Sequence, residues 1–129
     1  MTLLFLGEAS PEVWSAVPSA VAGLRTPRFA VKGVKGVPRR RPRLFALDLE
    51  DEGARGAAMQ IAVAEAVGVE LERPFWPHVT LLRVRKGRRP EAPRPPGDIG
   101  PFAPTALTLY RSHPGPKGSR YEALGRRAL

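Results

Sequence analysis

A histidine and a threonine stand two residues apart in the segment F-W-P-H-V-T-L-L-R-V-R-K-G, at His78 and Thr80. Side chains alternate along an extended strand, so both point to the same side, with Cα atoms about 7 Å apart. Imidazole exchanges a proton near neutral pH, and a hydroxyl donates a hydrogen bond to a phosphoryl oxygen. The pair therefore predicts acid–base chemistry on a phosphate, and neither group requires a metal.

A structural interpretation of the same tripeptide competes with this one, namely a half-buried histidine beside a threonine selected for strand propensity. The surrounding sequence favours chemistry. The histidine directly follows Phe75, Trp76 and Pro77. Trp76 lies two positions before His78 and so points to the same side of an extended strand, where its indole either lines the site or belongs to the core. A second T-L-L follows Met1 in the opening segment M-T-L-L-F-L-G, which makes Thr2 a further candidate.

Arg83 is the candidate partner for a phosphate or ribose, because a guanidinium presents several donors in one plane. Strict alternation places Arg83 on the strand face opposite His78, so this role requires a bulge or a twist. The alternative is a solvent-facing strand residue. His113 lies in a Pro/Gly turn without a partner nearby in sequence, and we assign it no catalytic role.

The residue composition excludes several kinds of site. Among 129 residues there is no cysteine and there are two histidines, which excludes disulfides, thiolate catalysis and cysteine-ligated zinc. We expect neither a metal nor another cofactor. The opening apolar run is too short for a signal peptide, and no segment reaches the roughly 18 apolar residues of a membrane span. We therefore expect one domain over residues 1–129, located in the cytoplasm, without a membrane partner.

The net charge of +9 is distributed in blocks. Residues 25–43 hold eight Lys or Arg and no acid, residues 44–72 hold seven acids and one Arg, and residues 73–89 hold six basic residues and no acid. Such blocks are typical of a surface that binds phosphates. A solvated basic surface is the alternative for the run of three arginines at 39–41.

The apolar periodicity and the turn and cap signals predict the strands and helices of the chain. Strands are expected at 1–6, 28–34, 42–49, 78–84, 105–112 and 119–126. One helix is expected from Ser10 to about Ala22, kinked or interrupted at Pro18, and another from an Asp51 cap to Val67, ended by Gly68. Residues 86–104 contain six prolines and are predicted to be an extended loop. A strand, a helix and V-T-L-L run from Pro42 to Leu82, and M-T-L-L matches only the end of such a unit. If this is an internal repeat, roughly 36 residues are missing before Met1.

With these segments in order, the chain resembles the two-histidine (2H) phosphoesterases, specifically the bacterial and archaeal RNA 2',3'-cyclic phosphodiesterases once called 2'-5' RNA ligases. The segment R-P-F-W-P-H-V-T-L-L-R-V-R is similar to the second signature motif of that family, and M-T-L-L-F-L-G-E-A-S-P-E-V-W to the first. The segment G-V-K-G-V-P-R-R-R-P-R-L-F is similar to the central connection, and L-T-L-Y-R-S-H-P-G-P-K-G-S-R-Y-E-A-L to the closing hairpin.

The resemblance implies a bilobal, pseudo-symmetric α+β fold with antiparallel sheets around a central cleft and outer helices. It also implies a reaction, the opening of a terminal 2',3'-cyclic phosphate on RNA to leave a 2'-phosphate. By similarity, His78 is the water-activating base and Thr80 and Thr2 hold the phosphate. Which histidine of the complete pair acts as base stays open, as do the oligomeric state and the natural RNA.

The sequence departs from the family pattern in two places. The first-motif histidine would stand immediately before Met1, and the family's opening strand and helix are also absent, so we expect an N-terminally truncated first lobe and impaired catalysis. Val37 occupies a position where relatives usually have an aromatic residue before the proline of the central connection. Three hypotheses follow: a phosphodiesterase whose start codon is misplaced, a non-catalytic RNA-binding module, and a fragment completed by another chain.

Overall fold

Two antiparallel sheets form the framework of the protein. The computed structural model describes residues 1–88, 91–95, 97–116 and 118–129. The strands are β1 Phe29–Val37, β2 Leu44–Asp51, β3 His78–Arg83, β4 Ala106–His113 and β5 Arg120–Ala128; the α-helices are α1 Val17–Ala20 and α2 Arg55–Val67; 3₁₀ segments span Pro11–Ala16 and Glu52–Ala54. The α+β class with antiparallel sheets predicted from the sequence is confirmed. No helix in the described part of the chain is long and apolar enough to cross a membrane.

The three-stranded sheet has the order β1-β2-β3, with both pairs antiparallel. Its central strand β2 is the most buried because neighbours flank both edges, and Phe45, Ala46, Leu47 and Leu49 are all buried. The strand β3 pairs with β2 from Asp48 opposite His78 to Leu44 opposite Arg83. The sheet thus places the predicted histidine at one end of β3 and the predicted arginine at the other.

The predicted cap and the predicted stop of helix α2 are both present, although its first α-helical residue differs. The Asp51 carboxylate accepts hydrogen bonds from the backbone N–H groups of Gly56 and Ala57, both at 2.8 Å, which satisfies donors of the first turn. Gly68 ends the helix in the left-handed region with φ 70°, a conformation that glycine adopts without steric cost. A short 3₁₀ turn separates Asp51 from α2, so the helix starts three residues later than predicted.

Two apolar clusters lie against different sides of α2. Phe29, Leu47 and Leu49 form one beneath the three-stranded sheet, and Phe75 packs against it. Gly56 fits α2 onto this cluster closely, since a Cβ at that position would lie 2.7 Å from the Phe75 ring. The second cluster joins α2 to the N-terminal helices and comprises Val17, Val21, Met59 and Val63, with Leu3, Leu4, Trp14, Val67, Leu107 and Leu129 packed around it.

The strands β4 and β5 form the predicted closing hairpin. Trp14 packs over Gly125 of β5, and any Cβ at Gly125 would lie 2.5 Å from the indole nitrogen. Trp14 is therefore a packing residue that joins the N-terminal segment to the hairpin. Residues 91–95 and 97–104 form no strand, apart from an isolated bridge between Phe102 and Phe29, which confirms the extended loop for these positions. Residues 89, 90 and 96 of the predicted loop, and 117 of the hairpin turn, lie outside the described residues.

Two N-terminal predictions differ from the structure. Residues 1–6 are not a strand, because no neighbouring strand pairs with their backbone in the described structure. The predicted helix from Ser10 forms as the 3₁₀ segment Pro11–Ala16 followed by the short α1. Ser10 caps it as expected, since its hydroxyl accepts from the Glu12 backbone N–H at 3.3 Å. The change of helix type immediately precedes Pro18, which lacks the backbone donor that a continuous helix would use there.

Candidate active site

His78, the first residue of β3, is held by the tryptophan two positions before it. The His78 Nδ1 lies 2.8 Å from the Trp76 carbonyl oxygen, and the two rings stack with centroids 4.0 Å apart at 16°. A carbonyl oxygen only accepts, so this hydrogen bond assigns the proton to Nδ1. In the neutral imidazole the lone pair then lies on Nε2, which is the atom available to accept a proton.

Trp76 is fixed in turn by two charged residues of the neighbouring strands. Its Nε1–H donates to the Asp48 Oδ1 at 2.6 Å, and the Lys35 ammonium lies 5.1 Å from the ring centroid, within range of a cation–π interaction. Asp48 stands opposite His78 in the β2–β3 register. The carboxylate, the indole and the imidazole therefore form one connected unit on a single face of the sheet.

Thr80 lies on the same sheet face as His78. It is exposed and stands opposite Ala46, two residues along β2 from Asp48. Since cross-strand partners point to the same side of a sheet, Thr80 and His78 both project with Asp48 and Ala46. The opposite face carries Val79 and Leu47, which pack in the Phe29 cluster. The alternation predicted from H-x-T is confirmed for these two residues.

The bulge that Arg83 requires is present. Thr80 pairs with Ala46, whereas Leu82 pairs with Phe45, so β3 carries one extra residue, Leu81, between these pairs. The inserted residue shifts the alternation of side chains by one position for the rest of β3. Arg83 therefore lies opposite Leu44 and points to the same face as His78. The exposed guanidinium thus follows the histidine and the threonine along one face of β3.

Thr2 is not assembled with these residues by any strand pairing or hydrogen bond in the described structure. It is exposed, in the segment that forms no strand. The adjacent Leu3 is attached to α2 instead, because its carbonyl oxygen accepts from the Gln60 side chain at 2.8 Å. The structure therefore joins three of the four predicted site residues and leaves Thr2 in a separate segment.

His113 has a partner that sequence proximity did not indicate. At the end of β4, its Nε2 lies 2.8 Å from the Glu122 carboxylate on β5. This hydrogen bond holds the pKa of Glu122 below its usual range, and the charges of His113, Arg111 and Arg120 act in the same direction. The interaction ties the two strands of the hairpin together and engages the His113 Nε2.

Asp48 and Lys35 were missed as contributors to the site. The available signal was an acidic residue inside the apolar run L-F-A-L-D-L of a central strand, where an uncompensated carboxylate is costly. Its partner Trp76 is 28 residues away in sequence, so the pattern of either segment alone does not reveal the contact. Among the described residues, no group of three His, Cys, Asp or Glu side chains is arranged to hold a metal ion.

Comparison with known proteins identifies the chain as a phosphoesterase relative. The RNA 2',3'-cyclic phosphodiesterase of Escherichia coli (strain K12) is 31% identical over 144 residues, an alignment that covers 100% of this chain and 74% of that protein. No protein-family model matches the chain.

Solved structures show the same relationship. TT0787 of Thermus thermophilus superposes with a TM-score of 0.74 and 33% identity, covering 99% of this chain and 76% of that one. E. coli LigT complexed with phosphate gives a TM-score of 0.70 and 27% identity, covering 99% and 73% respectively. The chain belongs to the 2H phosphoesterases, in the family of the RNA 2',3'-cyclic phosphodiesterases.

Proposed function

We propose that residues 1–129 act as a phosphodiesterase unit that opens a terminal 2',3'-cyclic phosphate on RNA and leaves a 2'-phosphate. The observation that carries this proposal is the imidazole of His78, with Nδ1 bound to the Trp76 carbonyl and Nε2 left to accept a proton. The name of the E. coli relative supports the substrate class, and the phosphate bound by LigT supports a phosphate site.

His78 is the water-activating base in this proposal. Its Nε2 takes a proton from water as the oxygen attacks phosphorus, and the bond between phosphorus and the 3' oxygen breaks. In-line displacement places the entering and departing oxygens on opposite sides, so one imidazole cannot easily serve both. A chain of these 129 residues carries one H-x-T histidine, and we expect it to hydrolyse the ester slowly, with solvent supplying the proton to the 3' oxygen.

Thr80 and Arg83 are proposed to bind the phosphate. The Thr80 hydroxyl donates to a phosphoryl oxygen beside His78, and the Arg83 guanidinium offers parallel donors further along the same face. Thr2 is proposed as a second hydroxyl donor on the basis of the first-motif resemblance. In the structure its segment contacts α2, so this role requires residues 1–6 to reach the phosphate bound at β3.

The position of the phosphate in the product tests this function. A short RNA ending in a 2',3'-cyclic phosphate is incubated with an excess of the chain, and the product is assigned by ³¹P NMR. We expect a 2'-phosphate, with an RNA ending in a 3'-hydroxyl unchanged as the control. A 3'-phosphate product, or ring opening no faster than in buffer, contradicts the proposal.

A non-catalytic RNA-binding module is the second candidate, and the observation that favours it is a group of exposed cations beside the end of β3. This alternative predicts affinity that falls steeply with salt, no ring opening, and little effect of His78→Ala on RNA binding. The cleavage assay and the binding assay therefore separate the two candidates.

A further inference from the structure

A wide basic groove lies at the end of the three-stranded sheet that is distant from His78. Pairing of β2 with β3 brings the β1–β2 connection against the segment that follows β3. The Val84 N–H donates to the Arg43 carbonyl at 2.8 Å, and the Arg43 N–H donates to the Val37 carbonyl at 2.8 Å. These bonds fix the two walls of a groove of about 1010 Å³.

The walls of the groove carry positive charge from both acid-free blocks of the sequence. Six exposed cations line it: Arg40, Arg41, Arg43, Arg85, Lys86 and Arg88. No acidic residue is among the lining residues. In the part of the chain that the structure describes, ion pairs join Arg28 to Glu52 and His113 to Glu122, and neither pair involves a groove cation. The charge of the groove is therefore uncompensated and attracts a polyanion.

The apolar lining of the groove is recessed. Phe45 is only 6% exposed and Val84 is half-buried, so neither protrudes to insert into a lipid surface. A concave channel with cations on both walls fits a flexible chain of phosphates, as in grooves that follow a single strand of nucleic acid. The shape and charge together favour single-stranded RNA as the occupant.

The groove lies beyond the end of β3 that carries Arg83. His78 and Arg83 stand five positions apart on β3, a separation of roughly 17 Å along a strand. The groove cations Arg85, Lys86 and Arg88 follow directly in the sequence. An RNA whose terminal phosphate lies at His78 would pass Arg83 and then enter the groove with its preceding nucleotides.

We propose that this basic groove is a second RNA subsite, which holds the phosphates of nucleotides upstream of the reacting end. The inference rests on the proposed function for its orientation, because the reacting end is placed at His78. It gives the protein a preference for RNA oligomers over cyclic mononucleotides, since a mononucleotide has no upstream phosphates to occupy the groove.

A matched pair of double variants tests the subsite. Arg40→Gln with Arg85→Gln removes one cation from each wall. Arg25→Gln with Arg55→Gln removes equal charge elsewhere, because Arg25 precedes β1 and Arg55 follows β2, both at the end of the sheet opposite to the groove. The probe is a fluorescein-labelled single-stranded RNA of twelve nucleotides ending in a 3'-hydroxyl, so binding is measured by anisotropy without any ring opening.

We expect the groove variant to bind this RNA roughly tenfold more weakly at about 0.1 M salt. The magnitude of its slope of log K against log salt concentration should fall by about 1.4, because two phosphate contacts are lost and each contributes about 0.7 for a single strand. The control variant should retain most of the affinity and the original slope. Equal losses in both variants, or no loss in the groove variant, overturn the subsite.

Competition and hydrolysis distinguish the remaining outcomes. Polyglutamate, anionic vesicles and unlabelled RNA are compared as competitors at equal charge. If polyglutamate or the vesicles displace the labelled RNA as well as unlabelled RNA does, the assignment to RNA is overturned. In hydrolysis, the ratio of kcat/KM for a cyclic-ended oligomer to that for a cyclic mononucleotide should fall in the groove variant. RNA binding that depends on the groove, without any ring opening, removes the proposed function and keeps the subsite. Ring opening with the same kcat/KM ratio in the groove variant and the unchanged protein keeps the proposed function and removes the subsite.

Discussion

The tripeptide Thr-Leu-Leu occurs at residues 2–4 and again at 80–82, and the two copies have different structures. The later copy is part of β3 and pairs with β2. The earlier copy forms no strand; Leu3 and Leu4 pack against the Val17 cluster, and the Leu3 carbonyl accepts from Gln60. Equal local propensity thus gives a strand only where an adjacent strand is available to pair with the backbone.

The chemical consequence concerns the two threonines. Thr80 is set by the β2 register beside His78, whereas Thr2 has no such partner in the described structure. The helix α2 contacts both regions, through Gly56 against Phe75 and through Gln60 against Leu3. Perturbing either contact therefore tests one region while the other serves as its reference.

The largest difference between the regions is expected for phosphate binding. Thr80→Ala should weaken binding of a dinucleotide ending in a 2'-phosphate by roughly 10- to 150-fold, because a hydrogen bond to a charged group contributes about 1.5–3 kcal/mol. Thr2→Ala should weaken it less, since residues 1–6 are not held beside β3. Isothermal titration calorimetry measures both affinities.

Thr80→Ser is the control for the threonine comparison, because it retains the hydroxyl and should recover most of the affinity. Equal losses for Thr80→Ala and Thr2→Ala would show that the two segments contribute alike, and the contrast between them would be wrong for the ligand-bound state.

A substitution at Gly56 should destabilise the region beneath β3. Its Cβ would lie 2.7 Å from Phe75 and 2.9 Å from Phe29, so Gly56→Val overpacks that cluster and should lower the free energy of unfolding by about 1–3 kcal/mol. Ala58→Val, at an exposed position of the same helix, should cost less than about 1 kcal/mol. Urea unfolding followed by circular dichroism compares them, and equal costs would refute the close packing at Gly56.

Loss of the Gln60 contact should affect the opposite region. Gln60→Ala removes the side-chain bond to the Leu3 carbonyl, which contributes about 1 kcal/mol. Amide exchange in residues 3–6 should accelerate by up to roughly fivefold, while the β3 amides keep their rates. Hydrogen exchange followed by NMR measures both, and faster exchange in β3 alone would contradict the assignment.

The smallest effect is expected in the hairpin, away from both copies. The pKa of Glu122, lowered first by its hydrogen bond from His113, should rise towards the ordinary value in His113→Ala. Because the folded-state pKa lies below the unfolded one, the associated stability is present above the unfolded pKa and is lost as pH falls through the folded pKa. Carbon-detected NMR titration measures this, and an unchanged Glu122 pKa in the variant would contradict the coupling.

Local signals predicted much of the fold. The Asp51 cap and Gly68 bound α2 because capping depends on adjacent residues, and the alternating segments gave β1 to β5 for the same reason. The strand predicted at residues 1–6 was wrong because periodicity describes which side chains are apolar and does not supply a pairing partner.

The candidate site was predictable only in part. The H-x-T spacing indicated that His78 and Thr80 share a face, and the need for a bulge before Arg83 followed from the same alternation. The Asp48 bond to Trp76 depends on the β2–β3 register, and the basic groove on two segments more than 40 residues apart in the sequence. Neither contact has a local pattern, so both required the folded structure.

The most direct measurement of the central claim is the single-turnover rate of ring opening on a cyclic-ended RNA, with the chain in excess. His78→Ala should lower this rate by roughly 10² to 10⁴, the usual contribution of a positioned proton acceptor. His113→Ala should leave it unchanged, because that imidazole is paired with Glu122 on the hairpin. Undiminished ring opening in His78→Ala, or an equal loss in His113→Ala, would contradict the assignment of His78 as the catalytic base.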